Sequence, residues 1–160
     1  MDANPMDESF MTRAIQLSLD NVRSGQGGPF GAVIVKDGSI LAEGVNRVTS
    51  TNDPTAHAEV VAIREACAKL GAFELNDCEI YTSCEPCPMC LGAIYWARLT
   101  RIYYGNAAAD ASAIGFDDSF IYRELGHTLP QRAIPMVQTM REQALAAFRA
   151  WQEKPNKILY

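Results

Sequence analysis

The sequence predicts an α/β layered domain, with helices covering a mixed sheet. Three observations lead there. Short apolar runs of strand length alternate with segments of helical periodicity, the pattern of a layered α/β domain. An Asp37-Gly38 turn joins two adjacent strand-like runs, which makes part of the sheet antiparallel and the whole mixed. The chain has 160 residues, 48% hydrophobic and 21% charged, enough for one domain with a proper core and too apolar for disorder.

Taken in order, residues 7–23 form the first expected helix. Phe10, Ala14 and Leu17, with Ile15, Leu19 and Val22, give it a broad apolar face, and Gly25, Gly27 and Gly28 end it. Residues 31–36 read as a strand, and residues 39–43 as its hairpin partner. Asn52-Asp53-Pro54 is a helix start signal, so a second helix is expected from there to Leu70, with Gly71 as its stop. Residues 79–83 form a short buried strand. Pro88 opens a helix to Trp96 or Ala97, residues 101–104 form the next strand, and a last helix covers about 141–151. No repeat, low-complexity tract or linker interrupts this, so residues 1–160 are expected to form a single domain.

Charge and targeting signals narrow the function classes. The net charge is −5, which disfavours a partner gripped through many phosphates and favours a small-molecule substrate. The longest apolar stretches, such as Ala32 to Val35, are far too short to span a bilayer. The opening MDANPMDESF starts with acid and lacks an apolar core, so it does not read as a signal peptide. A cytoplasmic protein is expected, with no membrane partner. The five cysteines agree: three crowd into Cys84-Glu85-Pro86-Cys87-Pro88-Met89-Cys90, which in a reducing compartment suggests metal or catalysis before disulfides.

The chemistry concentrates at two helix starts. Thr55-Ala56-His57-Ala58-Glu59 opens one helix and Pro86-Cys87-Pro88-Met89-Cys90 the other. Catalytic zinc takes three nitrogen or sulfur ligands and a water, and His57, Cys87 and Cys90 supply that set. Cys87 and Cys90 are three apart, so both sulfurs can face one point in a first helical turn, where the helix dipole favours thiolates. Glu59, two residues after His57, points beside the metal and suits a residue that moves protons. Cys84 and Cys87 also form a Cys-x-x-Cys. The Pro-Cys register and the His-x-Glu partner select Cys87 and Cys90, because a four-ligand structural site would leave Glu59 without a purpose. Cys67, Cys78 and Cys84 are then buried small hydrophobes.

His-x-Glu followed by Pro-Cys-x-x-Cys is the known signature of zinc nucleobase deaminases. The chain resembles the cytidine deaminase-like superfamily, and within it the bacterial guanine deaminases. The likeness runs nearly end to end, through residues 28–35, 52–59, 81–98 and 115–122 to Tyr160. It implies a three-layer α/β/α sandwich around a five-stranded mixed sheet. It also implies one zinc ion with its bound water or hydroxide, and hydrolysis of guanine to xanthine and ammonia in purine catabolism.

The same resemblance implies that Asp118 accepts from the base, that Asn46 bonds the purine, and that the Ala58 backbone N–H reaches it. Phe30 and Trp96 are either stacking faces or plain core; for Asp118 and Asn46 the binding role is favoured over a solvated cap beside Asp117 and a turn residue, respectively. Tyr160 matches a residue that closes the pocket, in a segment of about 140–160 that resembles one exchanged between the subunits of a homodimer.

Rival readings remain. A transfer-RNA adenosine deaminase shares Pro-Cys-x-Met-Cys-x-Gly-Ala, and residues 141–160 carry a local charge of +2, modest for an RNA-binding tail. A cytosine or cytidine deaminase is a weaker third. A zinc-stabilised binding module without catalysis is the alternative from another class.

Overall fold

The computed structural model describes residues 6–160, so the first five residues of the acidic opening stretch lie outside the described residues. Two compact units divide it, Met1–Asp118 and Ser119–Tyr160.

In the first unit, helix α1 (Glu8–Ser24) begins where Asp7 accepts a hydrogen bond from Ser9 N, and ends at Gly25 in the left-handed conformation. Strands β1 (Gly31–Lys36) and β2 (Ser39–Val45) form the expected hairpin. A short helix α2 (Val48–Thr51) precedes α3 (Ala58–Leu70). Strand β3 (Cys78–Cys84), helix α4 (Pro88–Trp96) and strand β4 (Arg101–Asn106) make a βαβ crossover, closed by helix α5 (Ala108–Ala113). The sheet order is β2-β1-β3-β4; β1 is antiparallel to β2 and β3, and β3 is parallel to β4. The chain therefore has a mixed sheet, as expected.

Its strands number four among the described residues, not five. The fifth came from the resemblance and had no strand-like run behind it. Past β4 the chain reads Ala107-Ala108-Ala109-Asp110-Ala111-Ser112-Ala113, rich in the best helix former and poor in β-branched residues, and it coils into α5.

Both faces of the sheet are covered. Val33, Val35 and Tyr81 pack with Ala14, Phe10, Met11 and Leu17 of α1. Ala32, Ile34, Ala42, Cys78 and Ile80 pack with Ala58, Ala62 and Ala66 of α3 and Ile94 of α4. The alternation along β1 and β3 assigns side chains to these faces with period two. Small residues let α3 press close: a Cβ on Gly44 would lie 2.1 Å from the Ala58 carbonyl oxygen, so only glycine admits the start of α3 at that point of β2.

The second unit contains α6 (Ser119–Gly126), a 3₁₀ turn (Leu129–Gln131) and α7 (Arg141–Glu153). None of its residues is buried. No described helix is long and apolar enough to cross a membrane.

Candidate active site

Two helix N-termini converge on one point. His57 is the N-cap of α3 and Cys87 the N-cap of α4, both with extended backbone, and Cys90 sits in the first turn of α4. The expected helix start at Asn52-Asp53-Pro54 is displaced, because Asp53 folds back locally. Its Oδ1 accepts from Thr55 N at 2.8 Å and from Thr55 Oγ1 at 2.7 Å, making a turn that delays the helix to Ala58. Because of that delay, His57 caps the helix instead of lying inside it.

The imidazole Nδ1 is 3.5 Å from Cys87 Sγ and 3.5 Å from Cys90 Sγ. All three donor atoms lie within 4.8 Å of one another. Zinc bond lengths of ~2.3 Å to sulfur and ~2.0–2.1 Å to nitrogen, at tetrahedral angles, place nitrogen and sulfur about 3.5 Å apart. The donor set and its spacing fit zinc. Which imidazole nitrogen faces the metal was not legible in the sequence; the structure gives Nδ1.

Charge is already arranged for a cation. The Cys87 thiol is held down to about 4, first by the hydrogen bond from Cys90 and also by His57, against the cost of burial. Cys90 is pushed upward, first by its bond to Cys87 and then by burial and the Glu59 charge. A metal ion binds thiolates, so loading the site would release the protons these thiols carry. His57 is raised, chiefly by its bond to Cys87.

Glu59 lies beside this cluster and outside it. It is 6% exposed, and burial above all raises its pKa, so it holds a proton more readily than a solvent-exposed carboxyl does. Cys90 Sγ donates to its Oε2 at 3.4 Å, and Thr82 Oγ1 lies 3.2 Å from its Oε1. Cys84 points elsewhere; burial first of all pushes its thiol up to about 11.

The other expected residues are placed unevenly. Asn46 is buried, and its Oδ1 accepts from Gly28 N (3.4 Å) and Val48 N (3.2 Å). Phe30 meets Phe116 edge to face at 5.0 Å between centroids and also packs on the α3-side core. Ala58 is fully buried at the first turn of α3. Asp118 is half-buried; burial raises its pKa against a backbone hydrogen bond that lowers it, and the Cys87 charge adds to the rise, so it lies within electrostatic reach of the cluster. Trp96, by contrast, is 64% exposed at the end of α4, which removes the plain-core reading. Tyr160 belongs to the second unit and is also exposed.

Three residues near the site went unread in the sequence. Asn21 of α1 donates from one amide to Gly28 O (2.8 Å) and Asn46 O (2.9 Å), tying together the loops that carry Phe30 and Asn46. Glu85 accepts from Ala108 N at 2.9 Å, fixing the turn before Cys87 to the start of α5. Thr82 is the third. Thr82 and Asn21 lie in no motif, although Thr82 shares the register of Ile80 on β3, and that register was readable.

Residues 4–106 match the family model for the cytidine and deoxycytidylate deaminase zinc-binding region. The chain belongs to the cytidine and deoxycytidylate deaminase family. Within this family it is 57% identical to guanine deaminase of Bacillus subtilis over 153 residues, 96% of this chain and 98% of the relative. The crystal structure of the Bacillus subtilis guanine deaminase superposes with a TM-score of 0.94 at 56% identity, over 97% of this chain and 99% of that one. A transfer-RNA-specific adenosine deaminase of Agrobacterium fabrum is 41% identical over 102 residues, 64% of this chain and 67% of the relative.

Proposed function

We propose that this deaminase hydrolyses guanine to xanthine and ammonia as a step of purine catabolism in the cytoplasm. The observation that carries the reading is the reach of the likeness. The family model ends at residue 106, whereas the similarity to guanine deaminase continues over 96% of the chain. Residues that could distinguish substrates, Phe116 and Asp118 among them, lie in that added stretch.

His57, Cys87 and Cys90 would hold zinc, which would supply a Lewis acid able to make water acidic near neutral pH. Glu59 takes a proton from the attacking water as the water oxygen bonds to C2 and delivers it to the adjacent ring nitrogen; it then moves the remaining hydroxyl proton to the amino nitrogen, so that the C2–N bond breaks and ammonia leaves. Guanine presents ring N–H and amino donors, and Asp118 is the acceptor suited to them. Both lone pairs of Asn46 Oδ1 are engaged by backbone N–H groups, so its amide meets a purine as a donor, toward oxygen or an unprotonated ring nitrogen. The Ala58 N–H, at a helix N-terminus, is a second donor of the same polarity. Phe30, braced by Phe116, offers the stacking face.

We take residues 1–160 as one deaminase domain that works as a homodimer, with the segment of about 140–160 exchanged and Tyr160 closing the partner's pocket. The absence of any buried residue in Ser119–Tyr160 supports this, since apolar side chains there need a surface to cover them.

Purified protein should release ammonia from guanine with xanthine appearing in the ultraviolet spectrum, and should leave adenosine in a transfer-RNA anticodon stem untouched. If xanthine fails to form, the substrate assignment is wrong; release from the anticodon stem would favour the transfer-RNA reading instead.

A further inference from the structure

Thr82 is 1% exposed on β3, the first strand of the βαβ crossover and an interior strand of the sheet. Its neighbours Tyr81 and Ser83 face α1: Tyr81 packs in the α1-side core, and Ser83 Oγ accepts from Gly31 N at 3.1 Å. The period-two alternation turns Thr82 the other way, with Ile80, toward α3. A hydroxyl on that apolar face costs desolvation unless it is bonded. Its one hydroxyl proton is shared between two acceptors, Oε1 of the Glu59 carboxylate at 3.2 Å and the Cys84 carbonyl oxygen at 3.1 Å.

The two oxygens of Glu59 therefore have different surroundings. Oε1 faces Thr82 and the strand, while Oε2 faces Cys90, 3.4 Å from its sulfur. A carboxylate on a flexible side chain gains from an anchor, since the rotamers it would otherwise sample include ones that miss the reacting atoms. We infer that Thr82 is a positioning residue: its hydroxyl pins Oε1 of Glu59 so that Oε2 is the oxygen presented to the His57–Cys87–Cys90 cluster. The other group the hydroxyl meets is the backbone carbonyl of Cys84, on its own strand. A valine has nearly the same shape and would satisfy packing, and it would leave Oε1 of Glu59 without its hydroxyl partner while the Cys90 contact to Oε2 remained.

The inference rests on Glu59 as the proton carrier of the proposed deamination. The zinc-loaded Thr82→Val, Thr82→Ala and Thr82→Ser variants are compared with the parent protein for zinc content, thermal midpoint, kcat and KM with guanine. Thr82→Val is expected to keep zinc and fold, to hold KM within about twofold, and to lose roughly ten- to a hundredfold in kcat, as misplacement of a catalytic group by about 1 Å does. Thr82→Ser, which retains the hydroxyl, is expected to recover most of that loss. Full kcat in Thr82→Val overturns the inference. So does an equal loss in Thr82→Ser, or a fall in zinc content that parallels the fall in kcat. If Thr82→Val does not fold, Thr82→Ala is read by the same criteria.

A crystal structure of a zinc-loaded variant lacking the hydroxyl gives a readout independent of turnover. The Glu59 carboxylate is expected to rotate or become disordered, and a carboxylate unmoved from its place in the parent overturns the inference. A parent protein inactive on guanine would refute the substrate reading alone, because this structural comparison still tests Thr82.

Discussion

Glu59 and Asp118 are both carboxylates with raised pKa, and their surroundings separate their tasks. Glu59 is deeply buried and touches Cys90 and Thr82, so its proton affinity is set by desolvation next to the metal ligands. Asp118 is half-buried and borders the cluster electrostatically, which suits an acceptor that reads the base. Glu59→Gln should keep zinc and the fold but lose about 100- to 10,000-fold in kcat, the range for removing a general acid-base group; zinc analysis beside steady-state kinetics checks it. Retained turnover would mean the protons travel by another route. Asp118→Ala should lower kcat/KM for guanine by about 10- to 100-fold, the worth of a hydrogen bond to a charged group, with zinc content unchanged. Equal loss of zinc and activity would make Asp118 structural. The metal ligands and Glu59 were legible because their chemistry demands fixed residue types at fixed spacing. Thr82 and Asn21 were not, since a buried hydroxyl or amide acquires meaning only from what tertiary folding brings opposite it.

At the scale of elements, the site depends on where two helices begin. The four strands and the long helices were readable from apolar periodicity and from the glycines that stop α1 and α3. The start of α3 was not, because Asn52-Asp53-Pro54 carries the same residues as a helix cap and spends them on a turn. That difference sets His57 as the cap, with its ring free to turn toward both sulfurs. α1 is pinned to the sheet by Arg13, whose guanidinium donates to both oxygens of Glu43 on β2 at 2.7 and 2.8 Å. That bond, ahead of the opposing cost of burial, holds the Glu43 carboxyl below the ordinary carboxylate range. A depressed carboxylate pKa stabilises the fold above the unfolded-state value, and the contribution disappears as pH falls through the folded-state value. The side chains are 41% and 35% exposed, so solvent screening limits the pair to about 0.5–1 kcal/mol. Glu43→Gln should lower the thermal midpoint by a few degrees at about pH 7, and the difference should shrink as pH falls through the depressed folded-state value, vanishing once Glu43 of the parent is itself protonated. A difference that persists below that value would assign the effect to packing.

The whole molecule leaves much apolar surface uncovered. In Ser119–Tyr160, Ile134 is 79% exposed, Val137 84% and Phe148 71%, far beyond scattered surface hydrophobes. In Met1–Asp118, Tyr95 is 71% exposed on α4, and β4 stands at the edge of the sheet with its residues largely in solvent. An open edge strand and unburied aromatic residues are liabilities that natural chains cover, and a second copy of the same chain is the simplest cover that closes by symmetry. Sedimentation should therefore give twice the chain mass of 17.6 kDa, and a monomer at micromolar concentration would refute the assembly. Exchange of the C-terminal segment needs a separate test. Glu59→Gln lacks its proton carrier but has Tyr160, whereas Tyr160→Ala has Glu59 but lacks the residue proposed to close the pocket. If Tyr160 serves the partner's site, a mixed dimer holds one site with both groups intact. Equimolar mixing after reversible unfolding then makes half the dimers mixed and restores about a quarter of the sites to wild-type activity. If Tyr160 serves its own chain, every site in the mixture lacks one group, and activity stays at the average of the two separate variants. That outcome would leave the dimer standing and remove the exchange.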